Sequence, residues 1–319
     1  MHVLAAQQFS PAEMGEIFES AEAFRPIFTN PDYRREVYAS HLGEQVCSIF
    51  YEASTRTKGS FELAAMKLGM GVFETENAGQ FSSISKGESI EDTTRVLASY
   101  GPAAIIMRTK EEGVARRAAA VSPVPIINGG DGKGEHPTQS LLDAYTINRE
   151  KGQLSDLKIV MGGDLARGRT VRSLAQILNK FRGNHITFVS TPDLGIGDDI
   201  KAALEDGGTS FSETSDMHEP LHDADVVYWT RLQRERAGEG ETDELVDPRF
   251  VIDAVALEAM AKGAMIMHPL PRVGEIVPDQ VDHDPRAFFN QQAQNGIFVR
   301  MALLDRAVGE AYTYPNFIK

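Results

Sequence analysis

The sequence is poor in cysteine and in long apolar runs, and each shortage excludes a class of protein. Cys47 is the only cysteine among 319 residues, which excludes an internal disulfide framework and a multi-thiolate metal site. Its place in an apolar run predicts an inert, packed thiol. No apolar stretch is long enough to span a bilayer, and residues 1–8 lack the basic-then-apolar pattern of a signal peptide. We therefore expect a cytoplasmic protein.

Positive charge is also scarce. The formal net charge of -14 repels nucleic acid and anionic membranes, so neither is expected as a partner. Basic residues that gather at one place in such a chain would serve a small, local anion. The composition, 42% hydrophobic and 24% charged residues, is that of an ordinary folded globular protein.

Short apolar segments alternate with helical segments along both halves of the chain. The helical segments carry apolar residues on one side, and the apolar segments are short enough for buried strands. This βαβ repetition indicates parallel sheets covered by helices. Predicted strands occupy residues 46–50, 72–74, 103–107, 124–127, 158–161, 186–189, 225–229 and 264–267.

The length of the chain exceeds the usual size of a single core, which indicates about two domains. We predict an α/β protein with two parallel-sheet α/β domains, joined by a bridging helix over residues 137–151, and with the active site in the interdomain cleft. The domains are predicted over residues 1–140 and 151–288. A C-terminal helix at about residues 293–319 can pack onto either domain, and we assign it to the first.

One strand-to-helix turn has the chemistry of an anion site. Ser54, Thr55, Arg56 and Thr57 follow the first predicted strand, and we call this segment the Ser54 turn. The first N–H groups of a helix have no intrahelical partners and the helix dipole is positive there, so anions bind at such ends. An ordinary N-cap would explain one hydroxyl. Three hydroxyls around an arginine favour a phosphate site.

Arginines recur where predicted strands end, at positions 56, 108, 169, 231 and 272. In open α/β sheets, ligands bind beyond the carboxyl ends of the strands. A solvated loop is the alternative for any one of these residues. Their recurrence in an acidic chain favours a site for multiply anionic ligands, such as a phosphate together with carboxylates.

The sequence resembles the catalytic chains of the aspartate carbamoyltransferase family, within the aspartate/ornithine carbamoyltransferase superfamily. The Ser-Thr-Arg-Thr turn is shared by all carbamoyltransferases, whereas a His-Pro-Leu-Pro-Arg run is typical of the aspartate branch. The ornithine branch typically carries a cysteine where this chain has Pro269. The matching segments occur in the family's order over nearly the whole chain: residues 54–57, 108–113, 136–139, 164–170, 230–231 with Gln233, and 268–272.

The resemblance implies transfer of the carbamoyl group from carbamoyl phosphate to the amine of L-aspartate, in pyrimidine synthesis, with no cofactor and no metal. It implies that the first domain binds carbamoyl phosphate and the second binds aspartate. The implied catalytic residues are Arg56, Thr57, Lys86, Arg108 and His136. Carbamoyl phosphate would contact Ser54, Thr55, Arg56, Thr57, Ser82, Lys86, Arg108, His136, Gln139 and Leu270. Aspartate would contact Lys86, Arg169, Arg231, Gln233 and Leu270.

The resemblance also implies an assembly. In the family, a serine and a lysine on one loop enter the active site of the neighbouring subunit, and these roles fall on Ser82 and Lys86. A homotrimer with shared active sites is therefore implied, and regulatory chains are allowed as further partners. Without the family, a surface lysine is the simpler interpretation of Lys86. Glu52 and Asp164 are candidates for orienting arginines, with capping or ion pairing as the alternative.

Other functions fit the residues less well. The chain could be a transcarbamoylase for another amino acid or amine, or a ligand-binding homologue without activity. His218 and His222 have helical spacing suited to a metal, but Pro220 interrupts that helix. Gly162 and Gly163 follow a strand, but the G-x-G-x-x-G spacing of a dinucleotide site is missing. Ser83 and Lys86 fit the Ser-x-x-Lys pattern of penicillin-recognising enzymes, whose companion motifs are absent.

Overall fold

The computed structural model describes residues 1–78, 87–132, 134–232 and 247–309. The chain forms two compact units. The first comprises Met1–Leu141 and the segment that begins at Gln294, and the second comprises Leu142–Ala293.

The first unit is built on a four-stranded sheet in the order β2-β1-β3-β4, with all neighbouring strands parallel. Its first helix, over residues Pro11–Phe24, begins with a reciprocal capping box between the N-cap Ser10 and Glu13. The strands are β1 (Gln45–Phe50), β2 (Gly71–Glu76), β3 (Ala104–Thr109) and β4 (Ile126–Asp131). The helices are α1 (Pro11–Phe24), α2 (Pro31–Ala39), α3 (Thr55–Lys67), α4 (Ile90–Ser99), α5 (Val114–Val121) and α6 (Pro137–Lys151), which continues into the second unit.

Strand β4 runs four residues beyond its predicted end at residue 127. The N-terminal segment pairs with the first part of the extension: the Val3 N–H donates to the Ile126 carbonyl and the Asn128 N–H donates to the Val3 carbonyl, both at 2.8 Å. At the far end, Asp131 pairs with Thr109 of β3. The Asn128 side chain also donates to the Leu4 carbonyl at 3.1 Å. These bonds satisfy backbone groups at the sheet edge that an exposed loop would leave to water.

The second unit is built on a five-stranded parallel sheet in the order β7-β6-β5-β8-β9. The two parallel sheets confirm the predicted α/β class. The strands are β5 (Lys158–Gly162), β6 (His185–Val189), β7 (Ser210–Thr214), β8 (Val226–Trp229) and β9 (Met265–Met267). The helices are α7 (Arg169–Leu178), α8 (Asp198–Gly207), α9 (His218–Leu221), α10 (Ala254–Ala259), α11 (Pro278–Val281) and α12 (Phe289–Val308).

The strand orders determine where ligands are expected. In the first sheet the chain goes from β1 to β2 on one side and then crosses to β3 on the other side of β1. In the second sheet it goes from β5 outward to β7 and returns to β8 on the opposite side of β5. Each sheet therefore has a topological switch point, between β1 and β3 and between β5 and β8. Ligands of open α/β sheets bind outside the carboxyl ends of strands at such points.

The last helix, α12, begins at Phe289, earlier than the predicted residue 293. From Gln294 onward it belongs to the first unit. Within that unit, Arg25 Nη1 donates to Asn295 Oδ1 at 2.7 Å, and His41 Nε2 lies 2.8 Å from Asp305 Oδ1. The rings of Phe28 and Phe298 meet edge to face with centroids 5.3 Å apart. Aromatic packing and polar contacts therefore hold this part of α12 in the first unit.

Two predictions drawn from the composition concern the cysteine and membrane-spanning segments. Cys47 is buried in the sheet of the first unit, and burial raises the pKa of its thiol to about 11, so the packed-thiol prediction is confirmed. Within the described ranges, no helix is long and apolar enough to cross a membrane.

Candidate active site

The Ser54 turn lies at the switch point of the first sheet. Strand β1 is buried from Val46 to Phe50, and α3 begins at Thr55 after its N-cap, Ser54. The Ser54 side chain makes no capping hydrogen bond, so capping does not account for this hydroxyl. Thr55 and Arg56 are exposed, and Ser54 is half-buried. Their side chains are accessible to a ligand at the N-terminus of α3.

Thr57 and His136 meet, as the sequence predicts for two residues of one site. The Thr57 hydroxyl lies 3.5 Å from His136 Nε2, and both residues are buried, with 6% and 4% of their surfaces exposed. His136 directly precedes α6, where its carbonyl accepts the N–H of Gln139 at 3.0 Å and that of Ser140 at 3.2 Å. The start of α6 thus fixes His136, and Gln139 follows one turn later.

Arg108 is held at the end of β3. It lies inside this strand as the penultimate residue, which corrects the prediction that it follows the strand. Its Nε donates to Glu52 Oε2 at 3.1 Å, and its Nη1 donates to the Gly129 carbonyl at 3.3 Å. Glu52 therefore forms an ion pair with Arg108, a contact that fits both predicted alternatives. The sequence did not indicate Gly129, because a backbone carbonyl leaves no residue-type signal.

Arg169 begins α7 at the switch point of the second sheet. It is only 4% exposed, and the preceding N-cap, Gly168, has no side chain with which to cap the helix. Asp164 is fully buried. Its Oδ1 accepts the backbone N–H of Arg167 at 3.0 Å, and its Oδ2 lies 3.4 Å from Arg167 Nη1. Asp164 thus fixes the approach to α7 through Arg167, a residue that sequence analysis did not single out.

Gly162 and Gly163 allow β5 and β8 to approach each other closely. A Cβ atom on Gly162 would lie 2.1 Å from the Trp229 ring, and one on Gly163 would lie 2.0 Å from the Thr230 carbonyl oxygen. Gly163 also has a φ of +102°, which side-chain-bearing residues rarely adopt. The glycines are explained by packing. They bring Thr230, the residue before Arg231, beside the segment of residues 162–169, which we call the Gly163 turn.

Arg231 and Leu270 complete the candidate residues of the second unit. Arg231 is half-buried, and its Nη1 donates to the Leu232 carbonyl at 2.9 Å. Leu270 follows β9, has a φ of +58°, and is joined to Pro271 by a cis peptide bond, the isomer that the resemblance implies.

The fifth strand-end arginine, Arg272, already has side-chain partners. Its guanidinium forms an ion pair with Asp282 and lies over the Phe289 ring, 4.5 Å from the centroid. Its hydrogen bond lowers the pKa of the Asp282 carboxyl. These contacts explain Arg272 as a structural residue of the second unit.

Three predicted site residues, Ser82, Lys86 and Gln233, lie outside the described residues. His218 lies in α9, a helix of four residues that includes Pro220. Within the described ranges, no group of three His, Cys, Asp or Glu side chains is placed to hold a metal ion.

Two family models together match most of the chain. The carbamoyl-P binding domain of aspartate/ornithine carbamoyltransferases matches residues 1–149, and the Asp/Orn binding domain matches residues 155–307. The chain belongs to the aspartate/ornithine carbamoyltransferase family. The resemblance inferred from six short segments is thereby confirmed.

Curated relatives in this carbamoyltransferase family cover nearly the whole chain. The chain is 46% identical to "Aspartate carbamoyltransferase, chloroplastic" of Oryza sativa subsp. japonica, over 95% of this chain and 83% of the relative. It is 39% identical to the aspartate carbamoyltransferase catalytic subunit of Clostridium kluyveri, over 97% of this chain and 98% of the relative.

Solved structures of family members have the same fold. The catalytic subunit of M. jannaschii aspartate transcarbamoylase matches with a TM-score of 0.86 and 39% identity, over 97% of this chain and 98% of that chain. Trypanosoma cruzi aspartate transcarbamoylase, in complex with aspartate and phosphate, matches with a TM-score of 0.85 and 34% identity, over 95% of this chain and 93% of that chain.

Proposed function

We propose that this chain transfers the carbamoyl group from carbamoyl phosphate to the amine of L-aspartate, giving N-carbamoyl-L-aspartate and phosphate, a step of pyrimidine synthesis. One observation carries the choice of aspartate. The family models allow aspartate or ornithine, whereas relatives that cover 95% or more of this chain are named aspartate carbamoyltransferases. Pro269 in the late motif agrees with the aspartate branch.

The first unit supplies the carbamoyl phosphate site. The phosphate lies at the Ser54 turn, where the N–H groups of the first turn of α3, the Ser54 and Thr55 hydroxyls and the Arg56 guanidinium donate to its oxygens. Arg108 contributes a second guanidinium, which Glu52 keeps in place. The observation that Ser54 does not cap α3 supports this assignment, because its hydroxyl is not used by the helix.

Thr57, Arg108 and His136 stabilise the carbonyl oxygen of the carbamoyl group as it gains negative charge. The 3.5 Å separation of the Thr57 hydroxyl and His136 Nε2 supports this role, since both donors then converge on one oxygen. Gln139, one helical turn beyond His136, contacts the carbamoyl amide. Donors positioned in advance at a developing oxyanion are an effective means of accelerating acyl transfer.

The second unit supplies the aspartate site. Arg169 and Arg231, with Gln233, bind the two carboxylates of aspartate, because a guanidinium matches the planar carboxylate with two parallel hydrogen bonds. The Leu270 backbone carbonyl contacts the substrates. Arg169 and Arg231 stand beside β5 and β8, the two strands of the switch point.

The reaction needs no covalent enzyme intermediate. The aspartate nitrogen attacks the carbamoyl carbon, the carbon–oxygen bond to phosphate breaks, and the bonding electrons leave with the phosphate. The amine attacks in its neutral form and loses one proton as the new carbon–nitrogen bond forms, and the departing phosphate accepts that proton. The protein contributes orientation and charge stabilisation.

The decisive experiment supplies carbon-13 labelled carbamoyl phosphate with L-aspartate or L-ornithine and identifies the product by NMR. We expect N-carbamoyl-L-aspartate with aspartate and no citrulline with ornithine. Citrulline as the main product, or no product with either amino acid, would refute the proposed function.

We further infer a homotrimer with shared active sites, in which Ser82 and Lys86 act on the neighbouring subunit's substrates. β2 is an edge strand of its sheet, and the apolar side chains of Phe73, Leu63 and Met66, on β2 and α3, are about half exposed. Apolar side chains exposed on an edge strand and on a helix of the same unit are suited to a contact surface. Regulatory chains and the cytoplasmic location stay predictions.

Shared sites have a direct test. Lys86→Gln and His136→Ala variants, each inactive alone, are unfolded reversibly, mixed and reassembled. In a closed ring, about one of three sites then takes an intact His136 from one parent and an intact Lys86 from the other, so activity partly returns. Verified mixed trimers without regained activity would assign Lys86 to its own subunit's surface.

A further inference from the structure

The segment after β9 contains a buried histidine, His268, that has no role in the proposed reaction. His268 is 1% exposed, and its partner Glu275 is 3% exposed. The two residues lie on either side of Leu270, whose backbone the proposed function places against the substrates. Three short contacts connect the histidine, the glutamate and the backbone of this segment.

The contacts fix the tautomer of His268. The Leu270 backbone N–H donates to His268 Nδ1 at 2.8 Å, so Nδ1 carries a lone pair and no proton. The ring proton is therefore on Nε2, which faces Glu275 Oε1 at 2.7 Å. The other carboxylate oxygen, Oε2, accepts the Val273 N–H at 2.9 Å.

The surrounding charges agree with a neutral ring. Burial lowers the pKa of His268, Glu275 opposes this effect, and the nearby Arg272 and Arg231 reinforce it. Burial alone would raise the pKa of Glu275, but the hydrogen bonds from His268 and from the backbone outweigh it and lower that pKa. A neutral imidazole in this position can only accept a hydrogen bond at Nδ1 and donate one at Nε2.

A second set of buried hydrogen bonds holds the same segment. The His268 backbone N–H donates to Gln292 Oε1 at 2.9 Å, and Gln292 Nε2 donates to Asp143 Oδ1 at 2.6 Å. The Tyr228 hydroxyl donates to Asp143 Oδ2 at 2.8 Å. Both the backbone and the ring of His268 are thus fixed, so the ring presents Nδ1 at a defined position.

Leu270 needs such a support. Its φ of +58° lies in the left-handed region, which a non-glycine residue keeps only when the surrounding structure imposes it. The bond from its N–H to His268 Nδ1 is one such constraint, and it acts directly on the peptide group that precedes the Leu270 carbonyl.

We propose that His268, held by Glu275, is a positioning residue that fixes the Leu270 backbone for contact with the amino-acid substrate. The proposal rests on the proposed function, because it takes the Leu270 carbonyl as a substrate contact. Loss of the bond to Nδ1 allows Leu270 to relax and weakens that contact. Loss of the contact between the ring and Glu275 alone has a smaller effect.

Two substitutions separate the bonds of the ring. In His268→Asn, the amide oxygen lies near the position of Nδ1 and can accept the Leu270 N–H. In His268→Gln, the amide nitrogen lies near the position of Nε2 and can donate to Glu275, but no acceptor remains for Leu270. We expect H268N to stay within about threefold of wild-type kcat/KM for aspartate and H268Q to lose about tenfold, the order expected for one buried hydrogen bond.

The KM for carbamoyl phosphate is the internal reference and is expected to stay unchanged in both variants. His41→Asn is the matched control, since His41 is also a buried histidine, 2.8 Å from the Asp305 carboxylate, but lies in the first unit. It should lower the melting temperature and leave kcat/KM unchanged. Equal activities of H268N and H268Q, or equal losses toward both substrates, would overturn the proposal.

The experiment distinguishes failure of the positioning role from failure of the proposed function. A wild-type chain that makes no N-carbamoyl-L-aspartate refutes the function, whereas an active wild type with no difference between the two variants refutes only the positioning role. If H268Q does not fold, the tautomer of His268 in the unmodified protein tests the proposal instead. Long-range nitrogen–proton NMR of nitrogen-15 histidine-labelled protein should show His268 as the neutral Nε2–H form, and an Nδ1–H form would overturn the proposal.

Discussion

The Ser54 turn and the Gly163 turn have the same place in their sheets and different surroundings. Each connects an inner strand of a parallel sheet to a helix at a topological switch point, and neither helix has a side-chain cap from its N-cap residue. Thr55 and Arg56 are exposed. Arg169 is 4% exposed and follows the fully buried Asp164.

Under the proposed function, one topology serves two ligand classes. A phosphate is compact, so small hydroxyls, helix N–H groups and an accessible guanidinium can surround it. A carboxylate is planar, so it is bound best by a guanidinium whose plane is fixed in advance. The sheet determines where a ligand binds, and the side chains of the turn determine which ligand it is.

Removal of the Arg56 guanidinium should break the first half of the comparison most strongly. In Arg56→Ala we expect kcat/KM to fall by about 10²–10³-fold, the order for loss of one donor to a group that gains negative charge in the transition state, here the departing phosphate. The free energy of unfolding should change by less than about 0.5 kcal/mol, because the side chain is exposed. Arg35→Ala, an exposed arginine paired with Asp32 on α2, is the control and should keep full activity.

Removal of the Arg231 guanidinium should break the second half. In Arg231→Ala we expect KM for aspartate to rise by about 10- to 100-fold, the range for a charged hydrogen bond, while KM for carbamoyl phosphate stays within about twofold. Arg249→Ala removes an exposed arginine that is paired with Asp247, and it should change neither constant. A similar rise in both KM values for Arg231→Ala would contradict the division of the two substrates between the two units.

Sequence reasoning located both turns because their signals are local. Apolar runs predicted the inner strands, and the hydroxyls and arginines that follow them indicated anions. Strand β7 and helix α8 were not predicted. The reason for β7 is physical: it is a polar edge strand whose sequence, Ser-Phe-Ser-Glu-Thr, has a single apolar residue, so it lacks the pattern of a buried strand.

Contacts between residues that are far apart in the chain could not be predicted from the sequence. The Glu52 and Arg108 side chains meet because β1 and β3 are neighbours, and strand order cannot be deduced from apolar periodicity. The packing of Gly162 and Gly163 against Trp229 and Thr230 has the same origin. The bond from Leu270 to His268 depends on a left-handed leucine, a conformation that no residue-type pattern predicts.

A substitution at Gly163 should sharpen the comparison by testing why the second turn needs glycine. Gly163→Ala should destabilise the fold by about 2 kcal/mol or more, because the new Cβ meets the Thr230 carbonyl and φ is positive. Gly113→Ala is the control, since Gly113 has a φ of +80° but nothing within 4 Å of its Cβ position. Equal losses in urea unfolding would show that packing is not the reason.

Acid should reveal a smaller effect in the second unit. Burial lowers the pKa of His268 below its usual value of about 6.5. The unfolded chain then binds a proton that the folded chain does not, so stability falls as pH drops below about 6.5, by at most about 1.4 kcal/mol per pH unit. His268→Asn removes this contribution. The free energy of unfolding, measured with urea between pH 7 and 5, should therefore fall less steeply with decreasing pH for H268N than for wild type. Equal pH dependences would exclude a neutral His268.

The central claim is that the Ser54 turn binds the phosphate and the Arg169 and Arg231 guanidinium groups bind the amino acid. Calorimetric titration of Arg56→Ala and Arg231→Ala with carbamoyl phosphate alone tests it most directly. The account predicts that Arg231→Ala binds carbamoyl phosphate with wild-type affinity and that Arg56→Ala binds it at least about tenfold more weakly. Wild-type affinity in Arg56→Ala, or an equal loss in Arg231→Ala, would contradict it.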